Sequence, residues 1–190
     1  MVEQQSPVNL RGAVSTPDLR RRLKLGWVEG RQRFAVDGPP GGRRFRPVVE
    51  QWLDLEDRSF RLDNVHFHRP SEHWVEGSRH TAELHAVHVR AADVLEVCTV
   101  AVFLECAAVA GPPAEPPEVL DLRSLLPERQ AFYRYEGSLT TPDFAEQVSW
   151  VVFKQPVPVA DPALVAFLAH AADPARNPQP LRRRFVLDTF

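Results

Sequence analysis

Two histidines that lie two residues apart indicate a metal site. His66 and His68 belong to LDNVHFH (62–68), where strand-forming residues surround them. In a strand, residues i and i+2 point to the same face of the sheet. Both imidazoles can therefore reach one ion, although an HxH pair alone is more often structural than metal-binding.

A second strand-like stretch, AELHAVH (82–88), supplies a third imidazole. Glu83, His85 and Val87 share one face of this strand, whereas His88 points to the other face. If the two strands pair in antiparallel fashion, His85 joins the HxH pair around one ion. Three imidazoles and one open position are typical of catalytic zinc, because structural sites fill the fourth position with another side chain. Copper, nickel, cobalt and iron also accept imidazole, so these residues leave the metal open.

Two polar side chains near the histidines strengthen the metal interpretation. Glu83 lies two positions before His85, where its carboxylate can hold the second ring N–H and fix the tautomer. Asn64 has the same relation to His66. We expect both residues to support metal ligands.

Length and composition predict a sheet-rich protein. The 190 residues suffice for one domain, 1–190, and the 18 prolines and β-branched segments disfavour a helical bundle. Strands are predicted at 33–37, 48–57, 59–68, 82–91, 95–106, 132–137 and 147–159. Helices are predicted at 118–127 and at 161–173, where Asp161 and Pro162 form an N-cap and first helical residue.

Charge, hydropathy and cysteine spacing narrow the function classes. The net charge of −2 gives no sign of nucleic-acid binding. No apolar run reaches the about 20 residues that cross a membrane, and the N-terminal residues lack a secretory pattern, so we expect a cytoplasmic location. A chain trimmed of its leader would look the same, which leaves a periplasmic or secreted location open. Cys98 and Cys106 lie too far apart on one predicted strand for a disulfide and are expected to be buried thiols.

An ordered set of stretches over nearly the whole chain carries a family resemblance. These are QSPVNL (5–10), HFHRPSEHW (66–74), AELHAVH (82–88), LLPERQAFYRYEGSLTTPD (125–143), VSWVVFKQPV (148–157) and RNPQPLRRR (176–184). The set resembles the α-class carbonic anhydrases of bacterial type. The resemblance implies a mainly β fold: a large, twisted, mostly antiparallel sheet with a few short helices and zinc in a central conical cleft. It also implies a lyase that hydrates carbon dioxide reversibly to bicarbonate and a proton through zinc-bound hydroxide.

Carried over residue by residue, the resemblance implies a role for each site position. The implied Zn²⁺ ligands are His66, His68 and His85. Asn64 and Glu83 would support these ligands, and Thr140 would accept a hydrogen bond from the hydroxide while donating one to Glu72. The implied carbon dioxide site consists of Val87, Thr99, Leu139, Thr141, Val148 and Trp150. Small anions and sulfonamides are the expected inhibitors, and neither nucleic acid nor a membrane is an expected partner.

Three departures from the family pattern affect the expected activity. Arg43 stands where fast members carry a proton-transferring histidine, and because arginine stays protonated we expect slow proton transfer. Thr99 replaces the usual valine, so we expect a modest penalty. Only four residues precede QSPVNL (5–10), where family members carry a longer segment that covers one rim of the cleft.

Two other functions use the same residues. A catalytically weak or silent relative could act as a binding module, although such relatives typically lose a zinc histidine and this chain has all three. A zinc hydrolase could act on esters through the same hydroxide, and the ratio of efficiencies would discriminate it. No sequence pattern indicates an oligomeric interface, so the oligomeric state stays open.

Overall fold

Strands dominate residues 3–90, 95–107 and 114–190, which are the residues that the computed structural model describes. The strands are β1 (Asn9–Leu10), β2 (Val14–Ser15), β3 (Leu23–Gly26), β4 (Gln32–Asp37), β5 (Arg44–Pro47), β6 (Trp52–Leu55), β7 (Arg58–His68), β8 (Trp74–Val75), β9 (Ala82–Arg90), β10 (Glu96–Glu105), β11 (Val119–Leu120), β12 (Phe132–Gly137), β13 (Val148–Pro158) and β14 (Leu187–Asp188). The helices are α1 (Pro162–His170) and two 3-10 turns, Pro17–Arg22 and Arg123–Leu125.

Twelve of the described strands form one large twisted sheet. Its main order is β11-β4-β5-β7-β9-β10-β13-β12-β14-β2, and β6 joins β3 to β7. The pairs β10–β13 and β14–β2 are parallel, and the other pairs in this sheet are antiparallel. The strands β1 and β8 form a separate parallel pair. The predicted mainly β fold, with a mostly antiparallel sheet and few short helices, is confirmed.

Apolar side chains cover both faces of the central strands. On β10, Val100 and Val102 pack into one core, whereas Ala101 and Phe103 pack into a second core on the opposite face. A strand that is buried on both faces has a nearly continuous apolar sequence in place of an alternating one. This explains the run VCTVAVFL (97–104) in the middle of the sheet.

A β-bulge in β7 separates its core residues from its polar ones. Leu62 pairs with His88 and Asn64 pairs with Val87, so Asp63 is an extra residue in this strand. A bulge shifts the alternation of faces by one residue. Leu62 therefore points into the larger core, while Asn64 and the HxH pair point to the opposite face.

The predicted strands are all present, and most of their ends agree closely with the prediction. The exception is 48–57, which shortens to Trp52–Leu55 because Val48 and Val49 lie in an exposed bend. Ala91, at the end of another predicted strand, lies outside the described residues. Shorter strands such as β1, β5 and β14 were not predicted from the sequence.

The helix predicted at 161–173 forms as α1, but it ends at His170, three residues earlier than predicted. Asp161 caps it, since its Oδ1 atom accepts hydrogen bonds from the backbone N–H groups of Ala163 and Leu164, at 2.9 and 3.2 Å. An aspartate before proline satisfies donors that the first helical turn leaves unpaired. The helix packs its buried residues Leu164 and Phe167 into the larger core.

The helix predicted at 118–127 is wrong. Val119 pairs with Arg33 as part of β11, and only Arg123–Leu125 forms a 3-10 turn. Asp121 Oδ1 accepts a hydrogen bond from Ser124 N at 3.1 Å, a local turn contact that competes with a helix. Pairing with β4 therefore overrides the helical spacing of the apolar residues.

The cysteines and the helices bear on two other expectations. Cys98 and Cys106 are both free thiols, but Cys98 is buried whereas Cys106 is partly exposed, so the expectation of two buried thiols is correct for Cys98 alone. No helix in the described part of the chain has the length and apolar character needed to cross a membrane.

A buried hydrogen bond joins Trp27 to His88 behind the sheet. Trp27 Nε1 donates to His88 Nε2 at 3.0 Å, and His88 Nδ1 donates to Ala86 O at 2.9 Å. Burial lowers the pKa of His88 to about 4, so the ring is neutral at neutral pH. Both ring nitrogens of His88 are therefore satisfied by groups remote from the other histidines.

We predict that Trp27→Phe lowers the free energy of unfolding by about 1–3 kcal/mol, because it leaves His88 Nε2 buried without a donor. The measurement is denaturant-induced unfolding. Trp52→Phe is the matched control, since Trp52 is 43% exposed, and we expect its effect to stay within about 0.5 kcal/mol. Equal losses in the two variants would contradict a role for this hydrogen bond.

Candidate metal centre

Three imidazoles from two neighbouring strands converge at one point. His66 on β7 lies directly opposite His85 on β9, and His68 lies two pairs further along, opposite Glu83. One ring nitrogen of each residue lies within 4.8 Å of the corresponding atoms of the other two. All three residues are buried, with at most 6% of their surface exposed. Antiparallel pairing thus brings together the histidines that the sequence singled out.

The remaining ring nitrogen of each histidine faces a hydrogen-bond acceptor. For His66 Nδ1, His85 Nε2 and His68 Nδ1 the acceptors are Asn64 Oδ1, Glu83 Oε1 and Pro174 O, at 3.0, 2.9 and 3.2 Å. Carboxylate and carbonyl oxygens only accept, so the ring nitrogens that face them donate. The tautomers are therefore fixed, and the nitrogens left without a proton are those that converge.

Burial keeps His66 and His68 in the neutral state that a metal ligand requires. Burial lowers the pKa of His66 and of His68 well below the ordinary histidine value, and the neighbouring imidazoles lower both further. Burial alone would raise the pKa of Glu83, but His73 and His85 hold it well below its ordinary range. The site thus combines neutral imidazoles with an ionised carboxylate behind them.

A buried chain of hydrogen bonds runs from Glu83 to the segment that contains Thr140. Glu83 Oε1 accepts a hydrogen bond from His73 Nδ1 at 2.6 Å. His73 Nε2 is hydrogen-bonded to the hydroxyl oxygen of Tyr135, also at 2.6 Å. That hydroxyl donates to Ser6 Oγ at 3.0 Å, and Ser6 Oγ also accepts from the backbone N–H of Ser138 at 3.1 Å. Residues from four parts of the chain are therefore fixed relative to the three histidines.

Glu72 directs one carboxylate oxygen towards the histidines. Its backbone N–H donates to Glu83 Oε2 at 2.8 Å, and its Oε1 accepts from Arg176 N at 2.7 Å. Its Oε2 lies 3.5 Å from His68 Nε2. Burial raises the pKa of Glu72 to about 7, and a hydrogen bond from the Thr140 side chain opposes this rise.

This donor set fits a metal ion that prefers nitrogen ligands. His68 Nε2 is buried and has no hydrogen-bond partner among the residues that the structure describes. Buried polar atoms are rarely left unpaired, and coordination of a cation would satisfy this nitrogen. Three neutral, convergent imidazoles are also the protein ligands of a catalytic zinc site.

The sequence of this chain is similar to those of known proteins. A sequence model for "Eukaryotic-type carbonic anhydrase" matches residues 111–190. The carbonic anhydrase of Klebsiella pneumoniae is 30% identical over 200 residues, covering 97% of this chain and 79% of that relative. The carbonic anhydrase of Pectobacterium carotovorum is 31% identical over 203 residues, covering 97% and 80%. The chain belongs to the α-carbonic anhydrase family. The activity of this family is the hydration of carbon dioxide.

Solved structures of carbonic anhydrases share the fold. The α-carbonic anhydrase of Photobacterium profundum has 26% identity and a TM-score of 0.77, covering 98% of this chain and 89% of the other. The α-carbonic anhydrase of Thermovibrio ammonificans, solved with the inhibitor sulfanilamide, has 28% identity and a TM-score of 0.75, covering 97% and 86%.

In this carbonic anhydrase, most residues expected to line the carbon dioxide site lie beside the histidines. Asn64, Val87, Thr99 and Trp150 are successive cross-strand partners from β7 to β13. Directly opposed residues in adjacent strands place their side chains on the same face. This row therefore lies next to His85, because Val87 is two residues beyond it.

The other predicted wall residues surround this row. Val148 is buried in the same core as Trp150, and Leu139 packs against that core. Trp150 Nε1 donates to Ser138 O at 3.0 Å, which ties the wall to the segment that carries Thr140. Thr141 follows that residue and is partly exposed.

Arg43 is engaged with the turn before β5. Its Nη1 atom donates to Gly38 O at 2.5 Å. The neighbouring Arg44 instead forms an ion pair with Asp173 at 2.7 Å, and both side chains of this pair are largely buried. Electrostatic repulsion from Arg44 contributes to the lowered pKa of His66.

Sequence reasoning missed the role of Asp63. Its Oδ2 atom accepts from Asn64 Nδ2 at 2.9 Å, which turns the amide oxygen of Asn64 towards His66. The sequence held a signal for the bulge, because core residues switch from even positions at Phe60 and Leu62 to odd positions after Asp63. Such a switch predicts an extra residue in the strand.

The acceptor for His68 was also missed, and it has no signal in the sequence. Pro174 supplies a backbone carbonyl, a group that every residue has. Asp173 fixes this segment, since its backbone pairs with Phe67 O and Arg69 N while its carboxylate binds Arg44. Only the tertiary fold brings this segment to the site.

Gly137 allows the close approach on which the hydrogen-bond chain depends. A Cβ atom at this position would collide with Ser6 Oγ and would lie 2.9 Å from Tyr135 Cε2 and 3.2 Å from Trp150 Cδ1. These neighbours are buried and hydrogen-bonded, so they have little freedom to move.

We predict that Gly137→Ala lowers the free energy of unfolding by about 1–3 kcal/mol through overpacking. It should also weaken metal retention, because it displaces Ser6 and Tyr135. Unfolding curves and metal analysis after dialysis measure the two effects. Gly26→Ala, in the short strand β3, is the control and should retain metal like the parent. Full stability and metal retention in Gly137→Ala would contradict the close packing.

Proposed function

We propose that this carbonic anhydrase hydrates carbon dioxide with Zn²⁺ held by His66, His68 and His85. The observation that carries the proposal is the convergence of three buried ring nitrogens whose opposite nitrogens all donate to fixed acceptors. When bound, zinc supplies a Lewis acid that lowers the pKa of water to about 7 and so makes hydroxide available at neutral pH.

The proposed task of Thr140 and Glu72 is to orient the nucleophilic oxygen. The Thr140 hydroxyl has one proton, which it donates in a hydrogen bond to ionised Glu72. Thr140 can then only accept a further hydrogen bond, which aims a lone pair of the nucleophile at the substrate carbon. A divalent cation near Glu72 favours its ionised form, which counters the effect of burial on its pKa.

The apolar wall suits a substrate without charge. Val87, Leu139, Val148 and Trp150 offer apolar surface next to the histidines, with Thr99 and Thr141 as the polar members. Carbon dioxide needs no strong donor, so apolar contact is sufficient to hold it beside the nucleophile. Anions and sulfonamides should bind at the same place as inhibitors, and the Thermovibrio ammonificans relative was solved in complex with the inhibitor sulfanilamide.

The site favours neither of the other two functions over carbon dioxide hydration. A silent binding module has no need for three neutral imidazoles with fixed tautomers, and this arrangement is complete here. Ester hydrolysis would use the same residues, so the site's geometry does not favour it over carbon dioxide hydration.

We predict that Thr140→Val and Glu72→Gln each lower kcat/KM for carbon dioxide hydration about a hundredfold, because each removes one partner of the orienting hydrogen bond. Zinc affinity should change less than about threefold, since neither side chain is a proposed ligand. His85→Ala should instead lose the metal. Stopped-flow assays and zinc titrations measure both quantities.

Thr16→Val is the matched control for Thr140→Val. Thr16 donates to Asp188 O at 3.2 Å, remote from the histidines, and its replacement should leave hydration unchanged. If Thr140→Val hydrates carbon dioxide at the parent rate with full zinc, the proposed orienting role is wrong.

Proton export is the proposed slow step. Arg43 cannot relay protons, because a guanidinium stays protonated at all working pH values. The four histidines that are not proposed zinc ligands are either buried, paired with another side chain or located at the end of α1. His73 and His88 are buried, His80 pairs with Glu105, and His170 ends α1.

We predict that turnover at low buffer concentration rises about tenfold as imidazole is added, because imidazole carries protons that Arg43 cannot. Arg43→His should raise turnover in dilute buffer and reduce the imidazole dependence. Arg33→His, at an exposed position elsewhere, is the control and should behave like the parent. High turnover that is independent of buffer would contradict a missing relay.

A further inference from the structure

Thr99 carries a buried hydroxyl that has no hydrogen-bond partner in the described part of the chain. The residue is only 1% exposed. A buried hydroxyl without a partner destabilises a protein, and valine would have the same shape without this cost. Unpaired polar groups of this kind therefore require an explanation, and a bound molecule with a complementary atom is one.

The position of Thr99 indicates where such a molecule would lie. Thr99 pairs with Val87 on β9 and with Trp150 on β13, and all three side chains lie on the face that carries His85. Trp150 cannot satisfy the hydroxyl, because its Nε1 atom already donates to Ser138 O. The hydroxyl is therefore a polar group between two apolar side chains, Val87 and Trp150, beside the histidines.

The chemistry of a hydroxyl favours a charged oxygen ligand over a neutral one. Bicarbonate carries a negative charge on its oxygens, and hydrogen bonds to charged acceptors are about twice as strong as neutral ones. Carbon dioxide is uncharged and is a weak acceptor. A donor in this wall thus distinguishes between the two carbon species of the reaction.

We propose that the Thr99 hydroxyl donates a hydrogen bond to a bicarbonate oxygen and makes Thr99 a determinant of specificity for bicarbonate over carbon dioxide. The inference rests on the proposed function, which supplies the occupant of the wall. Bicarbonate is then held more tightly than an all-apolar wall would hold it.

The test compares Thr99→Val with Thr99→Ser. Each protein is loaded with Co²⁺ and titrated with bicarbonate by visible absorption, at a pH where bicarbonate is the main dissolved species. Thr99→Val should raise the bicarbonate Kd about tenfold, the effect of losing a hydrogen bond to a charged group. Thr99→Ser keeps the hydroxyl and should stay within about threefold of the parent. A Thr99→Val protein that binds bicarbonate like the parent overturns the proposal.

A second measurement needs no metal. Thermal unfolding of the metal-free proteins, in buffer free of bicarbonate, should give Thr99→Val a Tm equal to or above that of the parent, because the change removes an unpaired hydroxyl. A lower Tm would show that the hydroxyl already has a partner in the folded protein, such as an ordered water, and would overturn the proposal.

Hydration assays on the zinc-loaded parent separate this inference from the proposed function. If the parent hydrates carbon dioxide while Thr99→Val binds bicarbonate unchanged, the role of Thr99 fails alone. If bicarbonate binding depends on Thr99 but the parent does not hydrate carbon dioxide, the proposed function fails and the role of Thr99 stands.

Discussion

The site depends on holding three buried imidazoles neutral, each with its proton on the nitrogen that faces away from the other two. Pairing of β7 with β9 places His66 opposite His85, but strand pairing alone does not choose a tautomer. That choice comes from acceptors behind the rings: Asn64, Glu83 and the carbonyl of Pro174. Because the last of these comes from a distant part of the chain, the donor set is complete only when the whole sheet and the segment after α1 are folded.

Glu83 links the three histidines to the rest of the protein through hydrogen bonds. Its carboxylate accepts from the rings of His85 and His73 and from the backbone N–H groups of Glu72 and His73. Such a fully bonded buried carboxylate stays ionised, and it fixes the groups around it. Through His73 and Tyr135 the same network reaches the segment before Thr140. The three histidines and the proposed orienting residues are therefore joined in one hydrogen-bonded unit.

Much of this arrangement could be predicted from local sequence pattern. The histidines and their same-strand partners follow from the two-residue alternation of β-strands, and the long central strands follow from apolar runs. Features that need tertiary pairing could not be predicted. The segment around Val119 has helical spacing but pairs with β4, and the carbonyl of Pro174 resembles any other carbonyl in the sequence. The bulge at Asp63 lies between these cases. The shift of core positions in β7 is present in the sequence, but the bulge was not predicted from it.

Zinc-dependent catalysis at the three histidines is best tested by stopped-flow measurement of carbon dioxide hydration, with zinc content determined on the same protein before and after chelation. We expect about one zinc per chain, hydration that disappears with the metal, and full recovery when zinc is returned. Hydration that an anion inhibitor abolishes would agree with this. A protein that holds zinc at His66, His68 and His85 but hydrates carbon dioxide no faster than buffer would contradict it.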